Sequence, residues 1–92
     1  MRFDEVLTIV LGFEGGYVND PNDKGGETNL GITAGTLARA HKEGIVGHSD
    51  VKKLTRAEAA KIYEAIYWKP CRCDLMPEPL DLLVFDAAVN HG

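Results

Sequence analysis

Phe3, Val6, Leu7, Val10 and Phe13 recur at three- and four-residue intervals. That spacing lines one face of an α-helix, so residues 3 to 14 are expected to form a first helix, stopped by Gly15-Gly16. Residues 17 to 32 mix Tyr, Val, Leu and Ile with Pro, Asn, Asp and Gly; helical spacing is lost, and a short irregular hairpin or loop is expected. Thr33 or Thr36 can cap a second helix reaching about Lys42, and Glu43 to His48 reads as a connection. Thr55-Arg56-Ala57-Glu58 has the form of a capping box, followed by Ala59, Ile62, Tyr63, Ile66 and Tyr67 on one face of a third helix that ends before Pro70. Pro77 and Pro79 bracket the start of a last helix, with Leu82, Phe85 and Val89 on one face, running to about Asn90. The pattern predicts a mostly α fold of the α+β kind: about four helices, with a small loop or β-hairpin insertion after the first.

Ninety-two residues, 45% apolar and 26% charged, suffice for one domain with one modest core. A net charge of -4, with the basic residues scattered, argues against a nucleic-acid footprint. Asp4 and Glu5 interrupt the first apolar stretch and no small-residue cleavage pattern follows, so neither a signal peptide nor stable membrane insertion is expected, and the chain is assigned to the cytoplasm. Cys71 and Cys73 are too close in sequence to brace the fold by an ordinary disulfide, and one Cys-x-Cys is a poor zinc signature; both are read as reduced, with no metal.

The chemistry concentrates between residues 14 and 33. At 100° per residue Glu14 falls about 20° from Phe3 and about 20° from Leu7, at the centre of the apolar stripe. Partial burial and the negative end of the helix dipole would both raise its pKa, which suits a general acid; the competing reading is a helix-end acid reaching solvent. Asp20, Asp23 and Glu27 follow on the polar segment. Asp23 is the first choice as second carboxylate, with Asp20, Thr28 and Asn29 available to hold a sugar or water, although Asp20 and Asp23 could equally build turns around Pro21 and Gly25. Calcium is excluded: an EF-hand pattern starting at Asp20 would place Lys24 and Gly31 where oxygen ligands are required. Asp86 and Asn90, one turn apart, could present an oriented amide to an N-acetyl or hydroxyl group, or tie the last helix into the fold. Tyr67 and Trp68 could stack on sugar rings, though aromatic residues at helical spacing are more often core. His41, His48 and His91 are read as surface or turn residues.

Four ordered blocks carry a resemblance: Glu14-Gly15-Gly16-Tyr17-Val18-Asn19-Asp20-Pro21-Asn22-Asp23 running on through Thr28-Asn29 to Gly31-Ile32-Thr33; Leu54-Thr55 with Glu58-Ala59; Tyr67-Trp68 and Pro70 with Asp74-Leu75 and Pro77; and Phe85-Asp86 with Val89-Asn90-His91-Gly92. Together they resemble glycoside hydrolase family 108, lysozyme-like N-acetylmuramidases found in phage endolysins and prophage proteins. The resemblance implies a lysozyme-like fold and cleavage of the β-1,4 bond between N-acetylmuramic acid and N-acetylglucosamine in the peptidoglycan glycan strand. Glu14 would be the catalytic acid, with Asp23 as a less secure second group and Asn90 helping to shape the cleft, and no cofactor would be needed. Members of the family continue past the Asn-His-Gly block, so residues 1 to 92 are expected to be a catalytic domain truncated at its C-terminus. An endolysin of this kind, expected to be monomeric, would reach the wall with a holin-type partner. A lytic transglycosylase acting on the same bond, or a noncatalytic wall-binding or secretion-associated module, would fit the same residues.

Overall fold

The computed structural model describes residues 2–12, 16–19 and 26–91. Helix α1 spans Arg2–Leu11 and buries Phe3, Val6, Leu7 and Val10, the stripe that its spacing predicts. Its hydrogen-bond ladder extends to Gly12, whose N–H donates to the Thr8 carbonyl at 3.0 Å; residues 13 and 14, expected to complete the helix, lie outside the described residues. Three short strands follow, β1 (Val18–Asn19), β2 (Glu27–Asn29) and β3 (Ile32–Thr33), forming an antiparallel sheet in the order β1-β2-β3. The segment expected to be a loop or hairpin is therefore a small meander.

Thr33, rather than Thr36, caps helix α2 (Ala34–Lys42): its hydroxyl accepts from the Thr36 N–H at 3.2 Å. A 3-10 turn at Val51–Lys53 leads to α3 (Arg56–Tyr63), which opens on the expected capping box. Thr55 Oγ1 accepts from the Glu58 N–H at 3.2 Å, and Glu58 Oε1 accepts from the Thr55 N–H at 3.0 Å, so two otherwise unpaired donors are satisfied. The same carboxylate takes His48 Nε2 at 2.9 Å, while His48 Nδ1 accepts from the Asp50 N–H at 3.1 Å. With Nδ1 used as an acceptor, the ring's proton sits on Nε2 and is donated to Glu58. These contacts hold the Glu58 carboxyl below its ordinary range, the His48 hydrogen bond contributing most. His48, expected to be a surface or turn residue, is thus a second brace on the start of α3.

Beyond Tyr63 the helix widens into a π turn over Glu64–Trp68, closed by Lys69 N–H to the Glu64 carbonyl at 2.9 Å. The wider turn shifts the register. Four residues after Tyr63 an α-helix would bring Tyr67 inward; here Trp68 takes the inner position, 4% exposed, and Tyr67 is left half-buried. Helix α4 (Leu80–His91) starts just after Pro79, as expected.

One core joins these elements. Phe85 of α4 lies edge-on to Trp68 at 5.4 Å, to Phe3 at 5.9 Å and to Tyr63 at 6.1 Å, so α1, α3, the π turn and α4 meet in one aromatic cluster. At the start of α1 and α4, Arg2 closes on Asp81 with Nε at 2.8 Å and Nη2 at 3.0 Å. Among the described residues no buried side-chain polar atom lacks a partner, and no helix is long and apolar enough to cross a membrane.

Candidate active site

The polar segment that carries the candidate chemistry is built on the three-stranded sheet, and strand pairing decides which way each side chain faces. Val18 pairs with Thr28 and Asn19 with Glu27; Thr28 pairs with Thr33 and Asn29 with Ile32. Residues directly opposite share a face and neighbours along a strand alternate, so Val18, Thr28 and Thr33 lie on one side, and Asn19, Glu27, Asn29 and Ile32 on the other.

The second side is the structural one. Ile32 is 2% exposed, and Asn29, at 8%, donates its Nδ2 to the Val51 carbonyl at 2.9 Å. The amide expected to hold a sugar is engaged in fastening β2 to the 3-10 turn. Thr28 lies on the opposite face, half-buried beside the half-exposed Val18. The pair Thr28-Asn29 is therefore split by strand alternation: Thr28 keeps a position from which its hydroxyl could meet a ligand, and Asn29 does not.

Glu27 is engaged as well. The Tyr17 hydroxyl donates to Glu27 Oε2 at 2.6 Å, and Lys52 Nζ stands 5.5 Å from the Tyr17 ring centre. The carboxylate raises the phenol's pKa, since ionising Tyr17 would cost that hydrogen bond and place two negative charges side by side. Glu14, Asp20 and Asp23 lie outside the described residues, so their separations are not part of the description.

Asn90 is exposed on the last turn of α4, with Asp86 exposed one turn earlier. Asp86 also lines a groove of about 210 Å³ between α1 and α4, with Ile9, Val10, Leu82 and Leu83. Val10 is the last buried residue of α1, so this groove lies at the C-terminal end of that helix. A larger cavity, about 440 Å³, lies at the other end of α1, among Arg2, Phe3, Glu64, Trp68, Asp74 and Asp81. Of the residues expected to contact a sugar, Trp68 lines this cavity.

Trp68 is packed edge-to-face with Phe3 and Phe85, is buried and belongs to the core, so the stacking role expected of it does not fit its position. The π turn that draws it inward has no periodic signature in the sequence. Tyr67, half-buried with its ring tilted 38° against Tyr63, keeps part of its surface open. Cys71 and Cys73 are free thiols, as expected, and burial pushes Cys73 up to about 11. Among the described residues no group of three or more His, Cys, Asp or Glu side chains could hold a metal ion.

The profile of the family described as glycosyl hydrolase 108 matches residues 7–92, nearly the whole chain. The chain belongs to the glycosyl hydrolase 108 family. Eight chains of solved structures match it. One of them, the structure of Brucella abortus SagA, is 39% identical with a TM-score of 0.82; the alignment covers 99% of this chain and 52% of the SagA chain. This family member thus spans about half the length of SagA. No curated protein matches it. The resemblance carried by the Glu14–Thr33 run and the three later blocks is thereby established at the level of family and fold.

Proposed function

We propose that this glycosyl hydrolase 108 chain is a peptidoglycan hydrolase, cleaving the β-1,4 bond between N-acetylmuramic acid and N-acetylglucosamine, with Glu14 as the general acid. The observation that carries the reading is the family match over residues 7–92, which includes Glu14 and the polar segment after it. The chemistry is consistent with that match. A glycosidic oxygen leaves poorly until it is protonated, and positive charge grows at the anomeric carbon as the bond breaks, so the site needs a carboxyl group able to hold a proton. Glu14 follows a helix whose buried stripe, Phe3, Val6, Leu7 and Val10, points toward the core. A carboxylate that continued this stripe would sit in poorly solvated surroundings near a helix C-terminus, where both effects favour the protonated form.

In this reading Asp23 is the second carboxylate, acting on the far side of the sugar ring. Asp20 and Thr28 contact the glycan, Thr28 from the face of β2 opposite Asn29. Asn90 and Tyr67 complete the wall, the first through an exposed amide and the second through the open part of its ring. The enzyme works as a monomer and needs no cofactor. It accumulates in the cytoplasm, and a membrane-permeabilising partner of the holin type gives it access to the wall.

The test is Glu14→Gln on purified cell walls. The variant should keep the wild-type melting temperature and lose wall clearing by a factor of at least about 100, the lower end of what a general acid contributes. Unchanged clearing would remove Glu14 from the mechanism. Mass analysis of the wild-type products should give reducing ends; anhydromuramic ends would instead make the enzyme a lytic transglycosylase. Wall binding without any cleavage would make it a binding module.

A further inference from the structure

Resting on the hydrolase reading, we propose that Tyr63 is a positioning residue for the site: its hydroxyl holds the Leu30–Gly31 turn and thereby fixes the sheet that carries Thr28. The argument begins with the turn. Strands β2 and β3 are joined by just Leu30 and Gly31, both with positive φ, 53° and 77°. Two-residue hairpins favour this left-handed geometry because it matches the twist of the strands, and Gly31 adopts it freely. Leu30 does not. A bulky side chain at φ 53° crowds the backbone, and such a residue persists only where its surroundings hold it.

Tyr63 supplies the hold. Its side chain is fully buried in the core, and its hydroxyl donates to the Leu30 carbonyl at 2.6 Å. The ring that carries this hydroxyl is itself fixed, edge-on to Phe85 at 6.1 Å and tilted against Tyr67 at 5.7 Å. The sheet is short, with two or three residues per strand, and few backbone hydrogen bonds can fix it. Among the described residues, two side-chain hydrogen bonds pin it from outside: Asn29 Nδ2 to the Val51 carbonyl, and Tyr63 to the Leu30 carbonyl. Both pins act on the inner side of the meander and leave Thr28 on the other face. Small displacements of groups that orient substrate cost disproportionately in rate.

The experiment is Tyr63→Phe, which keeps the ring and deletes only the hydroxyl. On soluble glycan strands, assayed well below the melting temperature, kcat per folded molecule should fall about tenfold, with KM changed less than about twofold. Backbone amides of β2 and β3 should exchange about tenfold faster while those of α2 and α3 are unchanged, because the opening is local. Leu30→Gly separates positioning from stability. Added to Tyr63→Phe it relieves the left-handed strain and should recover the melting temperature but not kcat; if Tyr63→Phe alone does not fold, this double variant takes its place.

If kcat returns together with the melting temperature, or if Tyr63→Phe has wild-type kcat while Glu14→Gln is inactive, the positioning role is overturned and the hydrolase reading stands. If the wild-type chain cleaves no glycan, the hydrolase reading fails instead. The exchange data then decide: unchanged protection of β2 and β3 overturns the hold on the sheet, and local loss of protection supports it.

Discussion

Asp81 is 1% exposed and remains a carboxylate because Arg2 meets both of its oxygens, while its own Oδ1 also accepts from the Leu82 N–H at 2.8 Å. The Arg2 hydrogen bond is the main reason its pKa lies below the ordinary 3.8. A depressed folded pKa gives stability that is fully present above the unfolded value and is lost as pH falls through the folded one. Melting curves should therefore show Asp81→Asn several degrees less stable than wild type at pH 7, with the gap closing as pH drops below about 4. Cys73 offers a second check. With its thiol pushed up to about 11 by burial, it should resist alkylation at pH 8 in the native protein and react once the chain is unfolded. Mass spectrometry of peptides after timed labelling reads this directly. At this scale the sequence was only partly legible. Thr28 and Asn29 are adjacent polar residues, and nothing in their identity says that one faces the 3-10 turn and the other the opposite side. Arg2 and Asp81 are nearly the length of the chain apart, and no local pattern links them.

Elements were more legible, because caps and periodicity are local. The Thr55–Glu58 box, the Thr33 cap and the start of α4 after Pro79 follow from side chains within a few positions of each helix end. Thr55→Ala should cost about 1 kcal/mol in chemical denaturation, the usual loss for an N-cap, and should shorten α3 at its first turn. His48 escaped this reading because its partner, Glu58, is ten residues away and already engaged in the cap. The π turn escaped it for a different reason. Helical wheels assume 3.6 residues per turn, and a single wider turn exchanges the roles of Tyr67 and Trp68. The sheet was foreseen as a hairpin-like insertion but not as three strands, since strands of two and three residues are too short to display an alternation.

At the scale of the whole molecule, Phe85 ties α1, α3, the π turn and α4 together through its ring contacts with Phe3, Tyr63 and Trp68. Phe85→Ala would leave a cavity bordered by Phe3, Tyr63 and Trp68 and should cost about 3–5 kcal/mol, a large share of what a domain of this size possesses. Urea titration followed by Trp68 fluorescence should show the loss, with emission moving from that of a buried indole toward that of a solvated one at lower urea. The apolar stripe of α1, the capped helices, the fold class and the family blocks were determined by sequence alone, because each depends on residues near one another along the chain. The division of β2 into a structural and an open face, the pairing of Arg2 with Asp81, the inward position of Trp68 and the grip of Tyr63 on Leu30 were decided only by tertiary structure. Each joins groups from separate elements, and the energy that orients them, burial of rings and satisfaction of buried polar atoms, exists only once those elements have packed.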